Sequence, residues 1–136
     1  MSKAYAGGCG CGALRYEVSA EPMAMNDCQC RQCQRDSGTG HGSYLTFPRA
    51  AARVTGEMKS FDFIGDSGTV KARAFCPTCG TPVFMLFPAM PDIIVVRAGT
   101  LDEPQHYRPE VVFWTAAGHA WDRLDPEVRR FDKMPG

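Results

Sequence analysis

The chain has 136 residues, with 15 basic side chains balanced by 15 acidic ones for a formal net charge of zero. That length is one domain's worth and buries roughly two-thirds of the surface exposed by the unfolded chain, and the charge balance lacks the basic excess that a nucleic-acid partner requires. The N-terminus has no signal-peptide apolar run, and no segment approaches the ~18 consecutive apolar residues of a membrane span. A cytoplasmic protein with no membrane association and no nucleic-acid partner is therefore expected.

Fourteen glycines and ten prolines cut the chain into short pieces. In chain order, the alternation of Leu14-Arg-Tyr-Glu-Val18 predicts a strand with one exposed face. Arg31 to Asp36 has the length for one or two helical turns. Gly42 to Phe47 predicts a more fully buried strand. Ser60 to Ile64 and Val70 to Phe75 alternate again, and Pro82 to Phe87, Ile93 to Val96 and Val111 to Trp114 read as buried strands. Pro126 to Phe131 predicts a short terminal helix, with Asp125 as N-cap and Pro126 in the first position. The fold class is mainly β, a single domain over 1–136 with its core at about 7–131.

Seven cysteines fall into three groups: Cys9 and Cys11; Cys28, Cys30 and Cys33; Cys76 and Cys79. Their odd number and the missing signal peptide argue against a disulfide framework, and no long helix follows Cys33 as a thioredoxin-like redox pair expects. Cys76-Pro-Thr-Cys79 reads as a tight turn that offers two sulfurs to one ion, with Gly80 free to adopt positive φ. Cys9 and Cys11, flanked by glycines, supply the other two corners of a closed structural zinc site. The central trio offers three ligands from one loop and leaves a fourth position open, the pattern of a catalytic or ligand-accepting zinc. Two other groupings stay open on spacing alone: a zinc ribbon pairing Cys30 and Cys33 with Cys76 and Cys79, and closure of the trio by His41. With all seven cysteines as thiolates, seven negative charges against four positive make the protein mildly acidic.

The blocks Gly7-Gly-Cys-Gly-Cys-Gly12, Cys28-Gln-Cys-Arg-Gln-Cys33 and Phe75-Cys-Pro-Thr-Cys-Gly-Thr-Pro82 occur in that order. With Ser37-Gly38, Ala98-Gly-Thr-Leu-Asp102 and His119-Ala-Trp121, they resemble the glutathione-dependent formaldehyde-activating family, also called the centromere-protein-V family. The resemblance runs from about Gly7 to Phe131. It implies a β-tent fold of small antiparallel sheets around zinc knuckles. It also implies two zinc ions per chain: a structural one on Cys9, Cys11, Cys76 and Cys79, and a catalytic one on Cys28, Cys30 and Cys33. The implied activity is that of a carbon–sulfur lyase, forming or cleaving S-hydroxymethylglutathione from glutathione and formaldehyde. The chain departs from many members at Gln29, where they carry histidine, and glutamine cannot shuttle protons.

On this reading a thiol such as glutathione occupies the trio's open corner and attacks an aldehyde. Arg31 and Arg35 suit its two carboxylates. His41, His106 and His119 are candidate proton carriers or ligands, with His41 foremost, and Phe47, Trp114 and Trp121 are candidate pocket walls. The competing expectation is a non-catalytic zinc module that binds a protein or carries a thiol.

Overall fold

Two sheets meet over a shared apolar core in the computed structural model, which describes residues 5–65 and 67–134. Residues 1–4, 66, 135 and 136 of the expected domain lie outside the described residues. Strands β1 (Tyr5–Gly8), β2 (Arg15–Val18) and β5 (Ala52–Thr55) form a small antiparallel sheet in the order β1-β2-β5. The larger sheet contains β3 (Ala24–Cys28), β4 (Gly42–Pro48), β6 (Lys59–Ile64), β7 (Val70–Phe75), β8 (Pro82–Leu86), β9 (Ile93–Arg97), β10 (Val111–Phe113) and β11 (Arg129–Arg130). Its order is β11-β10-β3-β4-β9-β8-β7-β6, antiparallel except where β10 runs parallel to β3 and β11. One short helix, α1 (Arg31–Ser37), follows β3. The mainly β, single-domain expectation agrees with this architecture. No helix among the described residues is long and apolar enough to cross a membrane.

Strand register explains how one sheet supports two environments. In β4 and β9 the directly paired residues Leu45 with Val96 and Phe47 with Ile94 share a face, while Tyr44 with Arg97 and Thr46 with Val95 share the opposite one. The first face packs with Leu14, Tyr16, Val18, Val83 and Phe84 into the main core. The second carries a smaller cluster of Cys28, Cys33, Tyr44, Met85 and Val95, flanked by Phe63, Phe87, Phe113 and Trp114.

Three strands escape propensity reasoning, and one expected helix is absent. β1 contains Gly7 and Gly8, poor strand formers. A Cβ on Gly7 would lie 2.2 Å from the Thr100 carbonyl oxygen and 2.5 Å from the Tyr16 hydroxyl, so only glycine allows this crossing. β3 lacks alternation and is set by its partner β4, while β5, Ala52-Arg-Val-Thr55, alternates over only four residues and is fixed by pairing with β2. The expected helix at Pro126–Phe131 is replaced by a turn and β11. Asp125 does cap, accepting from the Glu127 N–H at 3.0 Å, but the Phe131 N–H then bonds the Val112 carbonyl at 2.9 Å. The Phe131 ring meets Phe113 at 5.9 Å, so sheet pairing and aromatic packing outweigh one favourable cap.

Phe47 is fully buried at the centre of the main core. Phe47→Ala is expected to cost about 3–5 kcal/mol, read from denaturant unfolding of the metal-loaded protein.

Candidate metal centres and thiol site

The loop after β1 and the turn between β7 and β8 bring four sulfurs together, with Cys9, Cys11, Cys76 and Cys79 all within 4.8 Å of one another. The Cys9–Cys11 and Cys11–Cys76 sulfur separations are 3.7 and 3.8 Å. Sulfurs bound about 2.3 Å from a tetrahedral zinc sit about 3.8 Å apart, because a tetrahedron's edge is about 1.63 times its centre-to-corner distance. The cluster thus has the size of a zinc–tetrathiolate site. Backbone donors point at it: the Leu14 N–H lies 3.3 Å from Cys9 Sγ and the Thr78 N–H 3.3 Å from Cys76 Sγ. Gly80 adopts φ 80°, and its N–H closes the turn onto the Cys76 carbonyl at 2.8 Å. The Thr81 hydroxyl, 3.2 Å from Cys79 Sγ, is the leading cause that lowers this thiol to about 5. Cys9 and Cys76 are buried, whereas Cys11 and Cys79 face solvent.

The second cluster contains Cys28, Cys30 and Cys33, again within 4.8 Å of one another. Cys28 ends β3, Cys30 caps α1 by accepting from the Cys33 N–H at 3.3 Å, and Cys33 lies in the first turn of α1. Hydrogen bonds from Cys28 and Cys33 lower the Cys30 thiol to about 2, and the same contacts raise Cys28 far above the ordinary thiol range. Among the described residues no histidine, carboxylate or further cysteine joins this group, so a metal ion here has a position free for an outside ligand. The donor set fits zinc as three thiolates. The geometry favours neither the ribbon grouping nor closure by His41, because the four outer cysteines gather separately and His41 is held elsewhere.

His41 Nδ1 lies 2.9 Å from Asp122 Oδ1, and Gln29 Nε2 donates to Asp122 Oδ2 at 3.0 Å. Antiparallel pairing of Cys28 with Gly42 carries Gln29 and His41 into this juxtaposition just beyond the strand ends. Gln34 ties the same loop down, donating to the carbonyls of Gln29 at 2.8 Å and Ala117 at 3.1 Å. Its Oε1 accepts from Arg31 and lies 3.1 Å from His119 Nε2. Segment 117–122 thereby straps the cysteine loop.

The remaining candidates divide clearly. Arg35 is exposed and lines a groove of about 170 Å³ with Gln32, Asp36, Phe61, Phe63 and Arg73. Phe63 also packs on the trio's cluster, which places this groove beside it. A larger cleft of about 670 Å³ lies over the small sheet and is lined by no cysteine. Trp114 borders the trio's cluster, whereas Phe47 belongs to the main core and Trp121 stacks on His119 while 65% exposed. His106 meets Tyr5 in the core's periphery and joins neither cysteine cluster.

Sequence reasoning missed Tyr44, whose hydroxyl donates to Cys33 Sγ at 3.0 Å. Burial first, then the charge at Cys33, hold its phenol well above the usual range, so it stays a donor. Asp122 and Arg97 were also missed. The only local signal for Arg97 is a cation ending the apolar run Ile93–Val96.

Metal analysis separates the two centres. The intact protein is expected to hold two zinc ions. Cys33→Ser should lose one and keep its fold, while Cys79→Ser should lose the other and unfold or melt far below the parent, since structural zinc contributes on the order of 10–16 kcal/mol. Metal content and circular dichroism of each variant read both effects.

Comparison with known proteins identifies relatives over most of the chain. A curated protein of Halomonas elongata, named "putative glutathione-dependent formaldehyde-activating enzyme", is 28% identical over 114 residues, covering 78% of this chain and 71% of that protein. A crystal structure of a Rhodobacter sphaeroides protein matches with a TM-score of 0.54 at 21% identity, covering 93% of this chain and 99% of that one, and supports the fold alone. Residues 4–117 match the family described as glutathione-dependent formaldehyde-activating enzyme. The chain belongs to that family.

Proposed function

We propose that the protein is a zinc-dependent carbon–sulfur lyase that joins a thiol to an aldehyde and reverses the same step, with glutathione and formaldehyde as the model pair. The observation that carries this reading is the three-sulfur cluster with no fourth protein ligand among the described residues. In this reading Cys28, Cys30 and Cys33 hold the catalytic zinc, and Cys9, Cys11, Cys76 and Cys79 the structural one. The catalytic ion supplies a positive site at which an incoming thiol exists as thiolate at neutral pH.

The chain's own side chains supply the rest. As the thiolate sulfur bonds the aldehyde carbon, the C=O π pair moves to oxygen, which then takes a proton. Gln29 cannot deliver one. His41 can: with Nδ1 on Asp122, its Nε2 takes the proton that the thiol loses and passes it to the oxygen. In reverse, the hydroxyl proton returns to His41 as the C–S bond breaks. Arg31 and Arg35, one helical turn apart on α1, are the partners for the two carboxylates, and Arg73 lines the groove that Arg35 borders. Burial of the trio among Phe63, Phe87, Phe113 and Trp114 keeps competing water away.

NMR exchange spectroscopy on a glutathione–formaldehyde mixture tests the reaction. The metal-loaded protein should accelerate exchange between adduct and components. A carrier would bind glutathione in calorimetry and leave that exchange rate unchanged. Arg35→Gln should raise KM for glutathione about tenfold, the cost of one charged hydrogen bond, with little effect on kcat or on turnover of 2-mercaptoethanol, which has no carboxylate.

A further inference from the structure

Among the described residues Trp114 is the one non-glycine with positive φ, at φ 62° and ψ 38°. A side chain this bulky is strained in the left-handed region, which glycine enters at no steric cost. The backbone on either side holds it there. β10 ends at Phe113, paired with Cys28, and the Phe113 carbonyl accepts the Gln29 N–H at 2.9 Å. Just beyond Trp114, the N–H groups of Thr115 and Ala116 bond the carbonyls of Phe131 and Asp132 at 3.1 and 3.2 Å. The Ala117 N–H then closes back onto the Trp114 carbonyl at 3.0 Å.

This turn swings the chain from β10 across the cysteine loop. Ala117 accepts from Gln34, and Asp122 meets Gln29 and His41. Between them Gly118 passes so close that a Cβ would lie 2.6 Å from Gln29 Oε1. A glycine at position 114 would make the same turn without strain, so the indole is what the position retains against the backbone's preference. Strain of this kind clusters at ligand sites. The place of the indole fits that role. Pairing of Phe113 with Cys28 brings Trp114 level with Gln29, between Cys28 and Cys30. Its ring packs against the cluster that holds Cys28 and Cys33. Those two cysteines are buried, whereas Cys30 and Trp114 are half-buried and stand where the cluster meets solvent. An outside ligand reaches the trio from that side.

We propose that the Trp114 indole is the specificity-determining wall of the trio's open corner, packing against the carbon chain next to the ligand's sulfur and so favouring longer alkyl thiols. The proposal rests on the reading of the trio as an open metal site that takes a thiol. Each methylene laid against the ring leaves water, whatever the ligand's carboxylates do.

Cobalt(II) in place of zinc gives a readout independent of turnover. The four outer sulfurs leave no corner for a further ligand, so difference spectra on adding a thiol report the trio. Methanethiol, ethanethiol and 1-propanethiol share one sulfur chemistry and differ in carbon alone. In the parent, each added methylene should tighten binding about threefold. Trp114→Phe should keep most of that gain. Trp114→Gly and Trp114→Ala should both lose it, with methanethiol affinity unchanged. Thermal unfolding separates ring from turn: the glycine variant, relieved of strain, should melt above the alanine variant although the two bind thiols alike. A measurement on an intact Trp114 avoids any loss of fold. The chain has two tryptophans, so in zinc-loaded Trp121→Phe the emission comes from Trp114 alone. It should shift to the blue with 1-propanethiol more than with methanethiol. Affinities that follow melting temperature, a parent without the chain-length gain, small variants that keep it, or an emission that ignores chain length would overturn the proposal and leave the open thiol site intact. A parent protein that binds no thiol would overturn both.

Discussion

Thiolates repel one another, and this chain gathers seven cysteine sulfurs into two tight clusters. Such crowding is stable only where something positive sits among the sulfurs or where protons remain to bridge them. The outer cluster draws its members from segments 65 residues apart, at sulfur separations equal to a zinc tetrahedron's edge. The rest of the architecture follows from that demand. β1 must cross close to Thr100 and Tyr16, the β7–β8 turn must fold back through Gly80, and both must meet beneath a sheet whose inward face is already apolar.

The trio answers the same demand by other means. Its three sulfurs lie within six residues, so the chain needs no long closure to assemble them. Its difficulty is burial. The loop is held by Gln34, by the Gln29–Asp122–His41 contact and by the Tyr44 hydroxyl, while Arg97 and Asp36 lie beneath it. Polar groups in an apolar setting must be satisfied nearly everywhere, and here that satisfaction fixes where the three sulfurs sit before any ligand arrives. The outer cluster thus joins two distant segments, whereas the trio is held by hydrogen bonds around its own loop.

How much of this was legible differs by kind of contact. The cysteine groups were readable because zinc chemistry is local: a C-x-x-C turn with glycine behind it offers two tetrahedral corners wherever it occurs. The alternating strands Leu14–Val18 and Val70–Phe75 were readable for the same reason. Asp122, Tyr44 and Arg97 were not, because nothing near them in sequence marks their partners. Asp122 reaches Gln29 across 93 positions, and Arg97 reaches Asp36 across 61. Register brings Tyr44 beside Arg97, while a turn and helix α1 bring Asp122 and Asp36 to their partners, and all of these are properties of the assembled fold. The terminal segment failed in the opposite direction: Asp125 and Pro126 gave a sound helix-start signal, but a free edge at β10 offered the backbone better partners.

The separation in sequence between the two sets of sulfurs also sets an order of assembly. On a ribosome the trio's ligands and Tyr44 emerge within the first 44 residues, whereas the outer site waits for Cys79. Linking the chain across some 65 residues removes far more freedom than tying a six-residue loop, although the entropy grows only with the logarithm of length. An ion held by Cys9, Cys11, Cys76 and Cys79 would therefore act as a clasp on a long open loop, fastening the first strand to the middle of the chain after most of the sheet's sequence has appeared.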